Sequence, residues 1–560
     1  MMWGMQVFLL FIALLLLIKP LGIYIAHVLE GKRTFMTPLL LPIEKLFYVL
    51  CAIDTRHEMS PARYFQSLIV FSFICFSGLF FILLMQVFPV IDVPLAFNTA
   101  ASFITSTNWQ SFTPETTVTN QVQQIGFTVQ NFLSAAIGLS VMAALARALG
   151  SREERNEIGH FWMDMIRSLL YIFLPLSFLL ALFLISQGVI QNFDSTLSVS
   201  TLESGKEQIL TMGPVASQTA IKQLGTNGGG FFMANAAHPF ENPTPLSDFI
   251  QLLAMLLIPA ALTITFGRMV KAKKQGWVLF GAMMILFIPA LFLVITFEQA
   301  GNPLLQSLGL DSSLGNMEGK ELRFGTLGSS MWAVAASATS TGSLNASLDS
   351  FMPLSSLVTL ALIQFGEVVW GGIGSGICGM IVYVLLTVFI AGLMIGRTPE
   401  YLGKKIGTFQ IKMASLIILI PTFLTLTGTA IAVLTETGQS SATNFGAQGF
   451  SQILYAFTSV GYCNGSSLGG INASSPFYNI ILGLCMLLSR FGTIAATLAL
   501  AGSFAKQKAV SPAAGTLRTD TPLFTLLLIC VIIIGTLNYV PALALGPVAE
   551  HLLLPIGGSG

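Results

Sequence analysis

Gly225-Thr226-Asn227-Gly228-Gly229-Gly230-Phe231-Phe232 is uncharged and glycine-rich, and it lies between two long apolar runs. Three other uncharged Ser/Thr/Asn/Gly stretches occupy matching places: Thr105-Ser106-Thr107-Asn108-Trp109-Gln110, Ser340-Thr341-Gly342-Ser343 and Cys463-Asn464-Gly465-Ser466. With Asn108, Gly228, Gly342 and Gly465 as markers, the intervals are 120, 114 and 123 residues. Four polar interruptions at near-equal spacing point to one module used four times.

The surroundings fix the solvent. Of 560 residues, 54% are hydrophobic and 9% charged, against roughly 25% charged in soluble domains. Water cannot solvate that composition, so the chain reads as an all-α polytopic membrane protein. A net charge of +1 gives no sign of a nucleic-acid partner. Six scattered cysteines without a C-x-x-C read as buried thiols, and five histidines show no metal spacing.

The first apolar run, 1–18, has neither the positive start nor the cleavage site of a secretory signal and is expected to be a retained helix. Further runs long enough to cross cover 64–91, 125–145, 168–190, 249–266, 277–297, 350–396, 413–434, 477–505 and 522–547. The intervening Lys and Arg alternate. Groups of six (19–63), four (147–167), four (268–274), four (397–412) and three (506–518) fall on one side. Lys206, Lys222, Lys320 and Arg323 fall on the other, and Arg490 lies within a crossing. The richer side is expected to face the cytoplasm, which gives ten crossings with both termini outside.

The run 350–396 is long for one crossing and short for three, while the charge pattern demands an odd number. Gly366, Gly371, Gly372, Gly374 and Gly376 weaken a helix there. A single broken crossing is the expectation.

Each polar stretch falls on the outer side between two crossings. The repeat is therefore crossing, re-entrant segment, crossing, and its even count relates the copies by an axis along the membrane normal. The expected organisation is an N-terminal helix and loop (1–63), repeats at 64–150, 151–275, 276–410 and 411–508, and a C-terminal helix (509–560). The third repeat contains the broken helix. Irregular backbone at membrane depth must line a cavity or be buried. A ring of neutral carbonyl, Ser, Thr and Asn oxygens replaces the hydration shell of a monovalent cation; divalent ions usually recruit carboxylates, which all four cores lack. Helices expected at 94–104, 215–224, 326–338 and 450–459 would aim their negative ends inward. Potassium is favoured because it dehydrates more easily than sodium. The alternative is that the small residues merely allow close helix packing.

Gly374-x-Gly376-x-x-Gly379 spells a dinucleotide fingerprint, but no strand precedes it and no acid follows at the required distance. No phosphate loop is present, so no nucleotide is expected on this chain. Arg490 and Glu367 are costly in lipid and count as functional candidates. Arg490 would repel ions leaving a filter toward the cytoplasm, or would sit in a buried ion pair. Glu367 would line an ion route or support the broken backbone. Glu115 and Glu241, just past the first two stretches, read either as mouth acids that concentrate cations or as solvated loop acids.

Longer strings carry a resemblance. Thr-Asn-Trp-Gln at 107–110, Gly-Thr-Asn-Gly-Gly-Gly-Phe-Phe at 225–232 and His-Pro-Phe-Glu-Asn-Pro-Thr at 238–244 resemble the potassium-binding A subunits of the Kdp potassium-transporting ATPases. So do Asp-Ser-Ser at 311–313, Asn-Met-Glu-Gly-Lys-Glu at 316–321, Gly-Glu-Val-Val at 366–369, Gly-Arg-Thr-Pro-Glu-Tyr-Leu-Gly-Lys-Lys at 396–405 and Pro-Ala-Leu-Ala-Leu-Gly-Pro-Val-Ala-Glu at 541–550. The resemblance implies the potassium transporter superfamily fold, with four repeats around a pseudo-fourfold axis and one extra helix at each end. It implies a potassium filter of Ser106, Thr107, Asn108, Thr226, Asn227, Gly228, Ser340, Thr341, Gly342, Cys463, Asn464 and Gly465, supported by Gln110. Arg490 would sit under that filter, and a gating loop at 364–376 would include Glu367, Gly372 and Gly374. Potassium would then pass sideways through an intramembrane tunnel to a P-type ATPase subunit that hydrolyses ATP. An accessory subunit, a small single-span subunit and membrane lipid would be the other partners, in the bacterial inner membrane. Ser106, Thr341, Tyr462 and Cys463 depart from the family pattern, but backbone carbonyls survive such changes.

Two other classes remain. A stand-alone or regulator-gated potassium channel of the same superfamily would share the filter. An intramembrane enzyme would need a catalytic constellation that the sequence does not offer.

Overall fold

The computed structural model describes residues 2–86, 89–202, 205–510 and 517–554. Among these, ten helices are long and apolar enough to cross a membrane. The first is α1 (Met2–Leu29), followed by a shorter α2 (Thr37–Leu50). Four repeats of long helix, short helix, loop and long helix come next. They are α3 (Pro61–Leu84), α4 (Val93–Ile104) and α5 (Val122–Gly150); then α6 (Phe161–Ser186), α7 (Val215–Leu224) and α8 (Pro245–Met269). The third has α9 (Lys273–Gln299), α10 (Gly325–Ala338), α11 (Pro353–Gln364) and α12 (Ser375–Ile395). The fourth has α13 (Thr408–Leu434), α14 (Gly446–Gly461) and α15 (Pro476–Ala505), and α16 (Pro522–Leu553) closes the chain.

The starts of several crossings are written in the sequence. Ser60-Pro61, Thr244-Pro245, Ser475-Pro476 and Thr521-Pro522 each place a hydroxyl N-cap before a proline at the first helical position. The hydroxyls accept from the backbone N–H of Arg63, Ser247, Tyr478 and Phe524. Proline costs nothing there because that N–H has no helical partner.

Burial separates the crossings by role. In α5 and α8, 83% of the apolar window is buried, against 28% in α1, α3 and α16. The inner pair is rich in small residues, which let backbones approach where no water drives association. Gly22 of α1 lies against Ala261 of α8, and Thr265 Oγ1 donates to Gly22 O at 3.0 Å. The outer helices keep their leucines and phenylalanines for lipid.

The run 350–396 resolves as α11, a loop at 365–374 and the spanning α12, a single broken crossing. The loop bends through left-handed residues: Gly366, Glu367, Trp370, Gly371 and Gly374 all have positive φ. Two features escape the sequence reading. α2 lies within what reads as a loop. An antiparallel ribbon of β1 (Thr196–Ser200) and β2 (Glu207–Thr211) lies in the connection between α6 and α7. The six cysteines are free, but only Cys378, Cys463 and Cys485 are buried; Cys51 and Cys530 are exposed and Cys75 is half-buried. The reading as buried thiols is corrected for Cys51, Cys75 and Cys530: Cys51 follows α2 and Cys530 lies on α16, peripheral helices with large exposed apolar faces.

Candidate ion filter

The short helices α4, α7, α10 and α14 each end at one of the four polar stretches. The backbone then repeats one motif. The amides of Thr107, Asn227, Thr341 and Asn464 each donate five residues back, to the carbonyls of Ser102, Lys222, Ala336 and Ser459, at 3.0, 2.9, 3.1 and 2.7 Å. The residue before each (Ser106, Thr226, Ser340, Cys463) and the residue after (Asn108, Gly228, Gly342, Gly465) have positive φ. The central residue does not. Alternating left- and right-handed residues turns successive carbonyls the same way. The carbonyls of Ser106, Thr107, Thr226, Asn227, Ser340, Thr341, Cys463 and Asn464 accept no hydrogen bond among the described residues. Left-handed Ser, Thr, Asn and Cys cost roughly 1–2 kcal/mol each, so the surrounding packing must hold them.

The four segments meet in a ring. A Cβ added at Gly228 would overlap the carbonyl of Thr341; one at Gly342, the carbonyl of Asn464; one at Gly465, the carbonyl of Thr107. Each glycine therefore presses on the next repeat in the order two, three, four, one. At the fourth junction stands Asn108. Its Nδ2 donates to Gly228 O at 3.1 Å and to Asn131 Oδ1 at 2.6 Å. Thr105 and Thr107 share a hydroxyl bond of 2.8 Å, and Thr339 and Thr341 one of 2.6 Å. Asn227 Nδ2 reaches Ser106 Oγ and Ser134 Oγ, both at 2.9 Å.

The second repeat, with three consecutive glycines, is pinned residue by residue. Gln110 holds Gly230 from both sides, accepting from its N–H at 2.9 Å and donating to its carbonyl at 3.2 Å. Asn235 Nδ2 donates to Gly229 O at 2.7 Å. Glu241 Oε1 accepts from Phe232 N at 2.9 Å, and Glu115 Oε2 from Met233 N at 2.8 Å. Glu241 is fully buried in an ion pair with Lys222 of α7, itself 1% exposed, and Lys222 Nζ also donates to Asn235 Oδ1 at 2.8 Å. Both readings of Glu241, mouth acid and solvated loop acid, are thereby corrected: a neighbouring buried lysine neutralises it. Glu115 is half-buried and used as a backbone acceptor. Lys222 and Asn235 were not singled out from sequence. The one signal in the sequence is a lysine inside a short, otherwise uncharged helix; the positive φ of Asn235 shows only in the structure.

Outside the ring, a vestibule of about 320 Å³ is lined by Asn108, Gln110, Gly229, Asn235, Gly342 and Gly465. Inside it lies a smaller cavity of about 70 Å³, lined by Cys463, Tyr462, Glu367, Ser375 and Arg490. Arg490 is the fifteenth residue of the thirty in α15, midway along a crossing. It forms no ion pair with Glu367, whose carboxylate accepts from Ser375 Oγ. The 365–374 loop is the floor. Ile373 N donates to Thr226 Oγ1 at 3.1 Å and Gly371 N to Ala338 O at 3.1 Å. A Cβ at Gly374 would overlap Gly138 O of α5, and one at Gly372 would sit 3.3 Å from Glu367 Oε2.

His238, on the loop above, stacks on Phe232 with ring centroids 3.8 Å apart and accepts from Phe240 N at 3.1 Å. Burial pushes its pKa below the ordinary value, and Arg323 pushes the same way against Glu241.

With this geometry in place, comparison with known proteins is decisive. A family profile described as KdpA, potassium-transporting ATPase A subunit, matches residues 8–552. The chain belongs to that family. A potassium-transporting ATPase potassium-binding subunit from Sorangium cellulosum is 50% identical over 95% of this chain and 96% of the relative. One of the same name from Methylococcus capsulatus is 48% identical over 97% of each. Among solved structures, the potassium transporter TrkH from Vibrio parahaemolyticus superposes with a TM-score of 0.53 at 15% identity, covering 86% of this chain and 97% of that one. That likeness shows that the two chains share one fold.

Proposed function

We propose that this chain is the potassium-binding and translocating subunit of a high-affinity, ATP-driven potassium uptake complex. The observation that carries this reading is the closed ring of four equivalent segments with unpaired carbonyls, each glycine pressed on the next repeat. Neutral oxygens held at fixed spacing compensate a dehydrated potassium ion and compensate a smaller, more strongly hydrated ion less well. The filter is Ser106, Thr107, Asn108; Thr226, Asn227, Gly228; Ser340, Thr341, Gly342; and Cys463, Asn464, Gly465, with Gln110 in support.

Potassium enters by the vestibule from outside the cell and reaches the small inner cavity. Arg490 repels it from the direct inward route, while Glu367 and the loop with Gly372 and Gly374 gate a sideways tunnel to a partner P-type ATPase subunit. ATP is hydrolysed there; this chain binds no nucleotide and is not itself catalytic. An accessory subunit and a small single-span subunit complete the complex. The Lys/Arg-rich side faces the cytoplasm of a bacterial inner membrane, and both termini face outward.

The test is ion competition on potassium-stimulated ATPase activity of the purified complex. Gly228→Asp, which adds a side chain where Thr341 O stands, should abolish discrimination of potassium from rubidium and ammonium while the complex still assembles. Unchanged discrimination would remove Gly228 from the filter.

A further inference from the structure

A third cavity lies where α1 ends on the Lys/Arg-rich side. Its volume is about 220 Å³, and its lining includes Lys32, Arg33, Thr34, Thr37, Glu44 and Arg167. Three cations face one carboxylate. That carboxylate is already saturated: Glu44 is buried and accepts from Arg167 Nε at 2.9 Å, Tyr171 OH at 2.7 Å and Tyr48 OH at 2.6 Å.

Arg167 thus spends only Nε on Glu44. Its two terminal nitrogens have no protein partner among the described residues, and they lie under Gly31. A Cβ built on Gly31 would stand 2.9 Å from Nη1 and 3.5 Å from Nη2. With φ at +69°, Gly31 turns the chain there and leaves the guanidinium fork uncovered. Arg33 also has no partner among the described residues, whereas Lys32 pairs with Glu30 at the rim. The hydroxyls of Thr34 and Thr37 lie 3.2 Å apart at the same edge. Thr37 Oγ1 also accepts from Thr34 N at 2.8 Å, and Thr34 meets the Tyr24 hydroxyl, so this edge is held in place by its own bonds. A fork and two flanking cations suit a phosphate oxygen set.

The neighbouring helix identifies which phosphate. α2 buries only Leu40 and Glu44, and exposes Leu39, Leu41, Ile43, Leu46, Phe47, Val49 and Leu50; Phe35 before it is 80% exposed. A helix with this outer surface beside a crossing lies in the membrane interface, with its apolar side against acyl chains. Phosphate site and acyl-chain surface are continuous, and no soluble anion would use the second.

We propose that this cavity binds the headgroup of an anionic phospholipid of the cytoplasmic leaflet, with the acyl chains along α2. The leaflet, though not the chemistry, rests on the orientation proposed above.

The protein, purified with the subunits that accompany it, is placed in phosphatidylcholine nanodiscs containing rising fractions of phosphatidylglycerol. Thermal unfolding and the number of phosphatidylglycerol molecules retained in native mass spectrometry are read together. The wild type should gain thermal stability with phosphatidylglycerol. The Lys32→Gln, Arg33→Gln variant, altered only at exposed side chains, should need about tenfold more, the weight of one to two surface cations, and retain one molecule fewer. Arg167→Lys, which keeps the charge but loses the fork, should also retain one fewer. Identical titrations and retention in wild type and both variants would overturn the proposal. So would inorganic phosphate in pure phosphatidylcholine discs if it reproduced the stabilisation, since the site would then be one for a free anion. Failure of potassium discrimination elsewhere would leave this result untouched.

Discussion

The backbone N–H of Ile373 donates to the side-chain oxygen of Thr226 at 3.1 Å, joining the floor loop of the third repeat to the filter of the second. Under the proposed function, this bond ties a filter residue to the gating loop. Thr226→Val would leave that amide unpaired in a buried setting, a cost of about 1–3 kcal/mol, while Thr226→Ser would keep the oxygen. The valine variant should lower potassium transported per ATP several-fold, with serine restoring it. Equal stoichiometry in all three proteins, measured as uptake and hydrolysis on one reconstituted preparation, would show that the bond does not couple gate to filter.

Close contact across the ring sets the next expectation. Gly342→Ala puts a methyl into the carbonyl of Asn464 and a side chain at φ +71°. Strain alone costs about 1–2 kcal/mol, so potassium affinity, read from the half-saturating concentration for ATPase activity, should weaken at least tenfold. An unaltered half-saturation would place Gly342 outside the ring.

Lys222 and Glu241 form an ion pair away from water, so losing one partner should cost far more than losing both. Lys222→Met leaves a buried carboxylate and should destabilise by about 3–5 kcal/mol. The double change Lys222→Met, Glu241→Leu should recover most of the thermal stability. Additive losses in detergent-purified protein would contradict the pairing.

His238 supplies a pH dependence. Its folded pKa lies below the unfolded value of about 6.5, so the unfolded loop binds more protons. Its contribution to loop stability is therefore present above about pH 6.5 and lost as pH falls toward the folded pKa. Its accepting bond from Phe240 N also requires the neutral ring. The protection factor of the Phe240 amide, its exchange corrected for the intrinsic base-catalysed rate, should fall between pH 7 and pH 5, and His238→Phe, which keeps the stack on Phe232, should flatten that change. A pH-independent protection factor in wild type would contradict it.

These residues differ in how openly the sequence displays them. The four polar stretches stand out because glycine, serine and asparagine interrupt apolar runs, and a membrane leaves them few roles. The broken crossing was legible for the same reason, from five glycines in one run. Lys222 was counted among the outer-side loop charges because its neutralising partner lies 19 residues on, a distance no local pattern spans. α2 escaped because Pro38 and Pro42 punctuate a segment too short to cross. The ring order was beyond reach: contacts 113 or more residues apart arise only when the repeats assemble.

Under the proposed function, Arg490 is the residue that would separate a pump subunit from a channel. It sits midway along α15 and lines the cavity beneath Cys463, without an ion pair to Glu367. A guanidinium remains charged at any working pH. At about 8 Å and an effective dielectric of about 20, it repels a potassium ion by roughly 2 kcal/mol. A barrier of that size slows direct inward leakage about thirtyfold and leaves a sideways exit favoured. Arg490→Met removes the charge at similar length. The variant complex should assemble and still hydrolyse ATP in response to potassium, while net uptake per ATP falls and passive potassium flux without ATP rises by about that factor. Hydrolysis and uptake falling in fixed proportion, or neither changing, would make Arg490 a packing residue and leave the cavity without its barrier.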